Sequence, residues 1–448
     1  MADKNPYDGC RAVVLGAGAS GVAAAQLLRQ RGGVVTLLDE APLEKIRAAS
    51  TLASAGVELR AGAKNLPDEK FDLCVTSPGV AISHPWLAAC RKKKIPVIAE
   101  MELGFVYWPG KILAVTGSKG KSSLVKLCAD TLNRAGVAAA PAGNYGTPLS
   151  RLVIESPQTK WAVVEVSSFQ LEHVVTFRPD VAVLLNVQPD HLDRHASMAE
   201  YRALKLKLFA KQAGSDVALL PEKLRVDKQV STPAKKWRFG AGARCTWRYN
   251  DHVITGQFDG HVQKTSVSGS WFDNPVLGLA AAAGVGALTA CGLSEAAIAD
   301  GLKNFAPLPH RMQRIVERNG VIFVDDSKAT SLAATAAALQ MIAGPVRLIA
   351  GGRLKEHDLN MIKELLTRCV RKVYLIGECA WQMEAAWSEA VSCETCGTLD
   401  KAVAVATHEA CAGETILLSP GCASFDQFSS YRDRGECFTR LVCADAAS

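Results

Sequence analysis

The segment Lys111-Ile-Leu-Ala-Val-Thr-Gly-Ser-Lys-Gly-Lys-Ser-Ser123 decides the fold of the central part of this chain. An apolar strand leads into a short loop of glycine, serine and lysine, and residues 124–132 have the pattern of a helix. Such a loop directs backbone N–H groups at phosphate oxygens. Lys121 is expected beside the β- and γ-phosphates of a nucleotide, and the Ser122 hydroxyl on Mg²⁺. Val115 replaces the first glycine of the complete P-loop pattern, so the match is the shorter Gly-x-x-Gly-Lys-Ser.

The composition is that of a globular protein with more than one domain. Of its 448 residues, 48% are hydrophobic and 21% are charged. The net charge of +7 is scattered, apart from a cluster at residues 91–94, and does not indicate nucleic-acid binding. The sequence has no signal-peptide pattern and no run of about 18 apolar residues, so we expect a cytoplasmic protein without membrane insertion. We also expect it to be a monomer. A lone Cys393-x-x-Cys396 pair does not predict a metal or redox site.

Strand and helix patterns alternate along almost the whole chain, and this alternation predicts α/β domains with parallel sheets. Short Pro- and Gly-containing segments near residues 107–110 and 306–309 indicate two linkers. Residues 229–270, rich in Thr, Ser, Gly and Trp, predict antiparallel strands. We therefore expect three tandem domains, namely a Rossmann-like domain at 1–106, a central P-loop ATPase domain at 107–307 and a Rossmann-like α/β domain at 308–448.

The first domain carries a second glycine motif, Gly16-Ala-Gly-Ala-Ser-Gly21, with Asp39 at the end of the next strand. This pattern is typical of dinucleotide binding and alone would suggest NAD or FAD. The P-loop lies one domain later, however, and no site for hydride transfer is evident. The two motifs together favour a substrate linked to a nucleotide over a redox cofactor.

Polar residues also follow the ends of several predicted strands, where ligands bind in open parallel sheets. Glu165 and His191 each end a strand of the P-loop domain, and beside a P-loop both are predicted to serve a metal ion. Lys205 lies in an amphipathic helix. By its pattern alone it would be a solvated surface lysine.

Four motifs resemble those of the Mur ligases of peptidoglycan synthesis, and they follow one another along the chain in the same order as in that family. They are the P-loop and residues 165–170, 186–191 and 326–330, and the resemblance spans nearly the whole chain. Residues 419–428, Ser-Pro-Gly-Cys-Ala-Ser-Phe-Asp-Gln-Phe, are similar to those of the D-glutamate-adding members. The resemblance implies that ATP phosphorylates the carboxylate of UDP-N-acetylmuramoyl-L-alanine and that the amine of D-glutamate attacks the acyl phosphate. Closure of the third domain on its linker would exclude water.

The resemblance also implies roles for individual residues. Those expected to bind the UDP-substrate are Ala19, Ser20, Asp39, Ser77, Gly79 and Asn144. Those expected to bind ATP are Gly117, Ser118, Lys119, Gly120, Lys121, Ser122, Ser123, Asn274, Arg311, Asp326 and Lys328. Those expected to bind D-glutamate are Thr330, Lys355, Ser424, Phe425 and Tyr431. Two Mg²⁺ ions would be held by Ser122, Glu165, His191 and a carbamylated Lys205, and the catalytic residues would be Lys121, Glu165, His191 and Lys205.

Three alternatives remain open at this point. The first is another amide-forming relative, either an L-alanine-adding Mur ligase or an enzyme of the folylpolyglutamate synthase type, which would differ in the amino acid that it uses. The second is an NAD-linked dehydrogenase that uses residues 16–21 and does not need ATP. The third is a non-catalytic nucleotide-binding switch, which would hydrolyse ATP slowly and ignore any UDP-sugar.

Overall fold

The computed structural model describes residues 5–190, 194–355 and 358–444. The chain divides into two compact units, residues 1–270 with 278–305 and residues 271–277 with 306–448. The first unit contains two sheets and the second unit contains one. The predicted α/β class is confirmed, while the borders of the three predicted domains stay a prediction. Among the described residues, no helix has both the length and the apolar character needed to cross a bilayer.

The first sheet is built from short apolar strands, such as Val13, Val14 and Leu15, that are buried on both faces. Its elements are β1 (Arg11–Leu15), α1 (Ala19–Gln30), β2 (Val34–Asp39), α2 (Ala49–Ser54), β3 (Glu58–Ala61), β4 (Leu73–Thr76), α3 (Pro85–Lys92), β5 (Val97–Ala99) and α4 (Glu100–Tyr107). All its strands are parallel, in the order β3-β2-β1-β4-β5. This is the arrangement expected of a Rossmann-like domain.

The second sheet contains the predicted P-loop strand, third from one edge. Its elements are β6 (Lys111–Thr116), α5 (Lys121–Arg134), β7 (Ala139–Gly143), α6 (Leu149–Glu155), β8 (Trp161–Glu165), β9 (Val181–Leu184), α7 (Met198–Leu206), β10 (Val217–Pro221), β11 (Lys235–Gly240), β12 (Trp247–Asn250), β13 (Val253–Phe258) and β14 (His261–Ser266), followed by α8 (Pro275–Ala290) and α9 (Glu295–Lys303). The strand order is β14-β13-β12-β11-β10-β9-β6-β8-β7. Hence β6 lies between β9 and β8, and all three strands run parallel.

The prediction of antiparallel strands over residues 229–270 was wrong for β11. This strand pairs parallel with β10, with Val217 opposite Lys235, and β12 pairs parallel with β11. Only β12, β13 and β14 pair antiparallel to each other. An alternation of buried and exposed residues identifies a strand but does not fix its direction, because the side-chain period of two is the same in both kinds of sheet.

The third sheet lies in the second unit. Its elements are β15 (Gln313–Arg318), β16 (Val321–Asp325), α10 (Leu332–Met341), β17 (Val346–Gly351), α11 (Lys363–Cys369), β18 (Val370–Ile376), α12 (Ala380–Trp387), β19 (Ser392–Gly397), α13 (Leu399–Glu409), β20 (Thr415–Leu418) and α14 (Tyr431–Ala444). The order is β15-β16-β20-β17-β18-β19, and β15 alone is antiparallel to its neighbour.

The two cysteines of the Cys-x-x-Cys pair lie on opposite faces of this third sheet. Cys393 packs against the apolar cluster that includes Val373, whereas Cys396 packs against the cluster that includes Tyr374. Neighbouring residues of a strand point to opposite faces, so the two clusters cover different faces of β18. The two thiols therefore do not meet at one site.

Helix α4 holds the first and second sheets of the first unit together through two buried glutamates. The Glu102 carboxylate accepts the N–H groups of Val175 and Phe177 at 2.9 and 3.0 Å. Glu100 accepts the N–H of Ser150, the second residue of α6, at 2.7 Å. Each bond gives a buried carboxylate a donor, which offsets part of the cost of its burial.

Candidate functional site

The loop between β6 and α5 has the geometry of a phosphate-binding turn. Gly120 immediately precedes α5 and has a φ of 85°, in the left-handed region that residues with a Cβ rarely adopt. The first N–H groups of an α-helix have no partner within the helix and give its N-terminus a partial positive charge. The loop and the first turn of α5 can therefore bind an anion such as a nucleotide phosphate.

Lys121 lies over this loop. Its Nζ donates hydrogen bonds to the carbonyl oxygens of Gly117, at 2.8 Å, and Ser118, at 3.0 Å. The ammonium group is thus held in the turn itself, where it adds a full positive charge to the partial charge of the helix terminus. This position suits the neutralisation of phosphate charge.

Asn186 shapes the same loop, and sequence reasoning gave it no role. Its Oδ1 accepts the N–H groups of Ser118 and Lys119, both at 3.0 Å, and its Nδ2 donates to the Lys119 carbonyl at 3.0 Å. The available signal was its place just after β9, the strand that neighbours β6. Asn186 therefore positions the loop after β6 from the end of the neighbouring strand β9.

Replacing Asn186 with alanine should raise the KM for ATP by about tenfold and destabilise the fold by about 1–3 kcal/mol, because three loop hydrogen bonds are lost. Steady-state kinetics and thermal unfolding measure the two effects. The matched control is Asn133→Ala, since Asn133 exchanges two hydrogen bonds with Ala139 at the other end of α5. The control should lose stability and keep its KM; equal KM changes in both variants would contradict a role in the loop.

Glu165, the last residue of β8, is the strongest candidate for a metal ligand. It is 2% exposed, and its Oε1 accepts a hydrogen bond from Asn144 Nδ2 at 2.7 Å. Its Oε2 is buried without a hydrogen-bond partner among the described residues. An unpaired buried carboxylate oxygen is costly, and it is the type of ligand that Mg²⁺ prefers.

The site fits Mg²⁺ bound by mixed ligands better than a metal held only by protein side chains. Within the described ranges, no cluster of three or more His, Cys, Asp or Glu side chains could hold a metal ion. Glu165 would thus need other oxygen ligands, such as the Ser122 hydroxyl and nucleotide phosphates, which is how Mg²⁺ is usually bound at such sites. His191, the other predicted ligand from a strand end, lies outside the described residues.

Lys205 is not the surface lysine that its helix pattern alone indicates. Its side chain is 1% exposed, and Nζ donates to the Gly117 carbonyl at 2.9 Å. The ring of Tyr201, one turn earlier on α7, lies 4.4 Å from Nζ. Burial is the main cause that lowers the pKa of Lys205 to about 7, and the positive charge of Lys121 is the second cause. Lys205 and Lys121 thus share one carbonyl acceptor, and a large fraction of the Lys205 amine is neutral near pH 7.

The glycine turn of the first domain is tightly closed. A Cβ on Gly21 would lie 1.8 Å from the carbonyl oxygen of Gly16, so only glycine lets α1 pack this close to the turn. The Asp39 carboxylate accepts the N–H of Ala17 at 2.6 Å and that of Ala41 at 2.8 Å. Both of its oxygens therefore accept a backbone N–H, and these two bonds order the turn.

A cavity of about 460 Å³ opens beside this turn. Ala19 and Asp39, two of the predicted substrate residues, line it. Sequence reasoning missed three cations in its wall, namely Lys45, Arg47 and Arg151. A cavity with several positive side chains and a helix N-terminus suits an anionic ligand.

Arg194 was also missed, and it joins two candidate regions of the first unit. Its Nη1 and Nη2 donate to the carbonyls of Pro78 and Val80 at 3.0 and 3.1 Å, in the segment after β4 that carries Ser77 and Gly79. Nη2 also contacts Glu172 at 2.9 Å, in the segment after β8. Arg194 therefore fixes the segment after β4 against the central sheet.

In the second unit, the predicted residues gather at the carboxyl end of β16. The Asp326 carboxylate accepts hydrogen bonds from Ser419 Oγ at 2.9 Å and from the N–H of Met312 at 3.2 Å. Burial raises the pKa of Asp326 to about 7. The Lys328 ammonium lies 3.7 Å from the centre of the Tyr431 ring, a cation–π contact.

The remaining predicted residues of the second unit differ in their surroundings. Ser424 is 2% exposed, Phe425 is 62% exposed, and Lys355 is exposed. The side-chain oxygen of Asn274 accepts the N–H groups of residues 276 and 277 and thereby caps α8. Arg311 N–H donates to the Leu308 carbonyl at 3.2 Å.

Most of the chain matches models of one enzyme family. Residues 10–99 match the MurD-like N-terminal domain of Mur ligases, residues 115–279 the Mur ligase middle domain, and residues 310–422 the glutamate ligase domain of Mur ligases. The chain belongs to the Mur ligase family. Enzymes of this family use ATP and Mg²⁺, which agrees with the phosphate-binding loop and the unpaired Glu165 oxygen of this Mur ligase.

Similar proteins span nearly the whole length of this Mur ligase. One from Acidobacterium capsulatum is 37% identical over 97% of this chain and 96% of its own. Another, from Nitratidesulfovibrio vulgaris strain DP4, is 38% identical over 98% of both chains. Both are named UDP-N-acetylmuramoylalanine–D-glutamate ligase. The MurF ligase from Thermotoga maritima, solved in complex with ADP, has a TM-score of 0.60 at 15% identity and covers 92% of this chain and 96% of its own, so it supports the fold.

Within the first unit of this Mur ligase, three of the four predicted catalytic residues come together, and the fourth, His191, lies outside the described residues. Lys121 and Lys205 both contact the loop after β6, and Glu165 ends the adjacent strand β8. Asn144, predicted to bind the UDP-substrate, contacts Glu165. The individual roles of these residues, and of those in the second unit, stay predictions.

Proposed function

We propose that this Mur ligase joins D-glutamate to UDP-N-acetylmuramoyl-L-alanine, with ATP as the phosphoryl donor, in the cytoplasmic synthesis of the peptidoglycan precursor. The observation that carries the proposal is the identity of 37% and 38%, over nearly the full chain, with proteins named for that reaction. Two further features support the proposal independently. The phosphate-binding loop would bind ATP, and the segment 419–428 resembles that of the D-glutamate-adding members.

The proposed reaction has two steps. A carboxylate oxygen of the UDP-substrate attacks the γ-phosphorus of ATP; a new O–P bond forms, the bond to the bridging oxygen breaks, and ADP leaves. The amine nitrogen of D-glutamate then attacks the acyl carbon, the C–O bond to phosphate breaks, and the nitrogen loses a proton to give the amide. Activation is needed because a free carboxylate has no good leaving group.

The residues around the loop after β6 would stabilise the charge that moves in the first step. Lys121 would bind the phosphoryl oxygens, and the backbone N–H groups at the start of α5 would add further donors. Bound Mg²⁺ would supply Lewis-acid neutralisation of the phosphates. Asn144 would hold one oxygen of Glu165, so that the other faces the metal together with Ser122 and His191.

We also propose that Lys205 is carbamylated and serves a second Mg²⁺. The neutral amine attacks the carbon of CO2, an N–C bond forms, and the nitrogen releases a proton, which leaves an anionic carbamate. The lowered pKa supports this step, because a protonated lysine has no lone pair for the attack. A carbamate would turn a buried cation into the anionic oxygen ligand that a metal site needs.

The UDP-substrate is proposed to bind the first domain through Ala19, Ser20, Asp39, Ser77 and Gly79. The cavity beside the glycine turn, with its three cationic side chains, supports this assignment because a nucleoside diphosphate is anionic. Asp39 would act by ordering the turn through its two backbone hydrogen bonds.

The second unit is proposed to supply further ATP contacts and the amino-acid site. Asn274, Arg311, Asp326 and Lys328 would bind ATP. D-glutamate would be held by Thr330, Lys355, Ser424, Phe425 and Tyr431. The experiment that tests the function is a ligation assay with D-glutamate, L-alanine and L-glutamate in turn; product with D-glutamate alone is expected, and product with L-alanine alone would favour another family member.

Replacing Ser424 with alanine should raise the KM for D-glutamate by about tenfold and leave the KM for ATP within about twofold, because one hydrogen-bonding group of the amino-acid site is lost. Initial rates at varied concentrations of each substrate test this. The control is Ser429→Ala, which changes an exposed serine just after the segment 419–428. A change in the KM for ATP that exceeds the change in the KM for D-glutamate would show that the amino-acid site is assigned to the wrong residues.

A further inference from the structure

Arg434 is an unusual residue for a protein interior. It lies on α14, is 1% exposed, and ranks among the largest fully buried side chains. Burial lowers its pKa to about 10, so the guanidinium remains charged at neutral pH. A buried cation is normally paired with a carboxylate. The hydrogen bonds of Arg434 go instead to one hydroxyl and two backbone carbonyls.

The guanidinium reaches three separate loops. Nε donates to Ser327 Oγ at 3.0 Å, and Nη2 donates to the carbonyls of Ser327 and Cys422 at 3.0 and 3.1 Å. Nη1 has no hydrogen-bond partner in the described part of the chain. It lies against the third loop, because a Cβ placed on Gly352 would be 3.3 Å from it.

These loops follow the neighbouring parallel strands β16, β20 and β17, so they emerge at the same edge of the sheet. Each loop carries at least one residue proposed to bind D-glutamate, for example Thr330 after β16, Ser424 after β20 and Lys355 after β17. None of these three side chains is bound by Arg434. The guanidinium instead contacts the backbone of two loops and packs against the third.

We infer that Arg434 is a positioning residue of the amino-acid site, which sets the spacing of its three loops without touching the amino acid. The inference rests on the proposed function for the identity of the ligand. Arginine suits this task because its planar group offers five donors in a fixed geometry, whereas a lysine ammonium is a single flexible point. Ser327 Oγ donates to the Tyr431 carbonyl at 2.8 Å, which orients the hydroxyl to accept from Nε.

The loops remain linked without Arg434, so its variants are expected to fold. The N–H of Gly421 donates to the Ala329 carbonyl at 2.9 Å, and Ser419 Oγ donates to Asp326. Arg353 and Ala423 exchange two backbone hydrogen bonds at 2.8 and 3.0 Å. Loss of the guanidinium should therefore loosen the spacing of the loops rather than unfold the sheet.

The test compares Arg434→Met, Arg434→Lys and the control Arg440→Met in the full-length enzyme. Arg440 is exposed and lies on the same helix. Arg434→Met should raise the KM for D-glutamate by about tenfold or more, as expected for a misplaced site. Arg434→Lys should give a smaller rise, and the KM for the UDP-substrate, which is proposed to bind the first domain, should stay within about twofold.

An unchanged KM for D-glutamate, or an equal rise for all three substrates, would overturn the inference. Circular dichroism checks the fold, and if Arg434→Met is unfolded, Arg434→Lys is judged by the same criterion. A wild-type enzyme that does not use D-glutamate would overturn the proposed function and the inference with it. A wild type that uses D-glutamate, with unaffected variants, would overturn the inference alone.

Discussion

Replacing Lys121 with alanine is expected to lower kcat/KM for ATP by about 1,000-fold, because one preorganised charge on the transferring phosphoryl group is removed. The UDP-substrate should bind with nearly its wild-type affinity, since Lys121 does not line its proposed cavity. Initial-rate kinetics measure the first effect, and calorimetric titration with the UDP-substrate measures the second.

The matched control is Lys126→Ala. Lys126 lies on the same helix, five residues further on, and pairs with Asp130 on the surface of α5. Its loss should change the kinetics by less than about twofold, as is usual for a surface ion pair. Normal turnover by Lys121→Ala would refute the assignment of the loop as the phosphate site.

Replacing Lys205 with alanine should lower kcat by at least about 100-fold, because a metal-ligand position is lost. Lys211→Ala, an exposed lysine just beyond α7, is the control and should keep its rate. Turnover at saturating ATP and Mg²⁺ measures both variants. An unchanged rate in Lys205→Ala would show that its burial serves the structure alone.

The pKa of Lys205 also predicts how the wild-type enzyme responds to pH. A pKa of about 7 means that roughly one-tenth of the amine is neutral at pH 6 and nine-tenths at pH 8. After removal of CO2, activity should therefore recover faster at pH 8 than at pH 6 when equal dissolved CO2 is restored. Recovery that is independent of CO2 at both pH values would contradict carbamylation.

The phosphate-binding loop could be predicted because all of its parts are contiguous in the sequence. The strand, the glycines and Lys121 follow one another, and their geometry is fixed locally by β6, Gly120 and α5. The position of Glu165 at the end of β8 could be predicted because it follows an apolar run, and parallel strands present their carboxyl ends at one edge.

The burial of Lys205 could not be predicted from its helix alone. An amphipathic pattern shows that one face is buried but not which neighbours cover a lysine near the edge of that face. A signal was available, because Lys205 follows the buried Tyr201 by four residues and so shares its face of α7. Arg434 offered the same signal, four residues before the buried Phe438.

Contacts between distant segments were the hardest features to predict. Asn186 reaches the loop across a sequence separation of 67 and 68 residues, and Arg434 reaches Ser327 across 107. No local pattern encodes such pairs, because they depend on which strands become neighbours. The direction of β11 was missed for the same reason.

The most direct measurement is phosphate release from ATP in the presence of Mg²⁺ and UDP-N-acetylmuramoyl-L-alanine, with and without D-glutamate, combined with mass spectrometry of the products. We expect sustained release only when D-glutamate is present, together with one new product heavier by one glutamyl residue. Sustained release that ignores D-glutamate, or oxidation of NADH by a protein that does not bind Mg·ATP, would contradict an amide ligase.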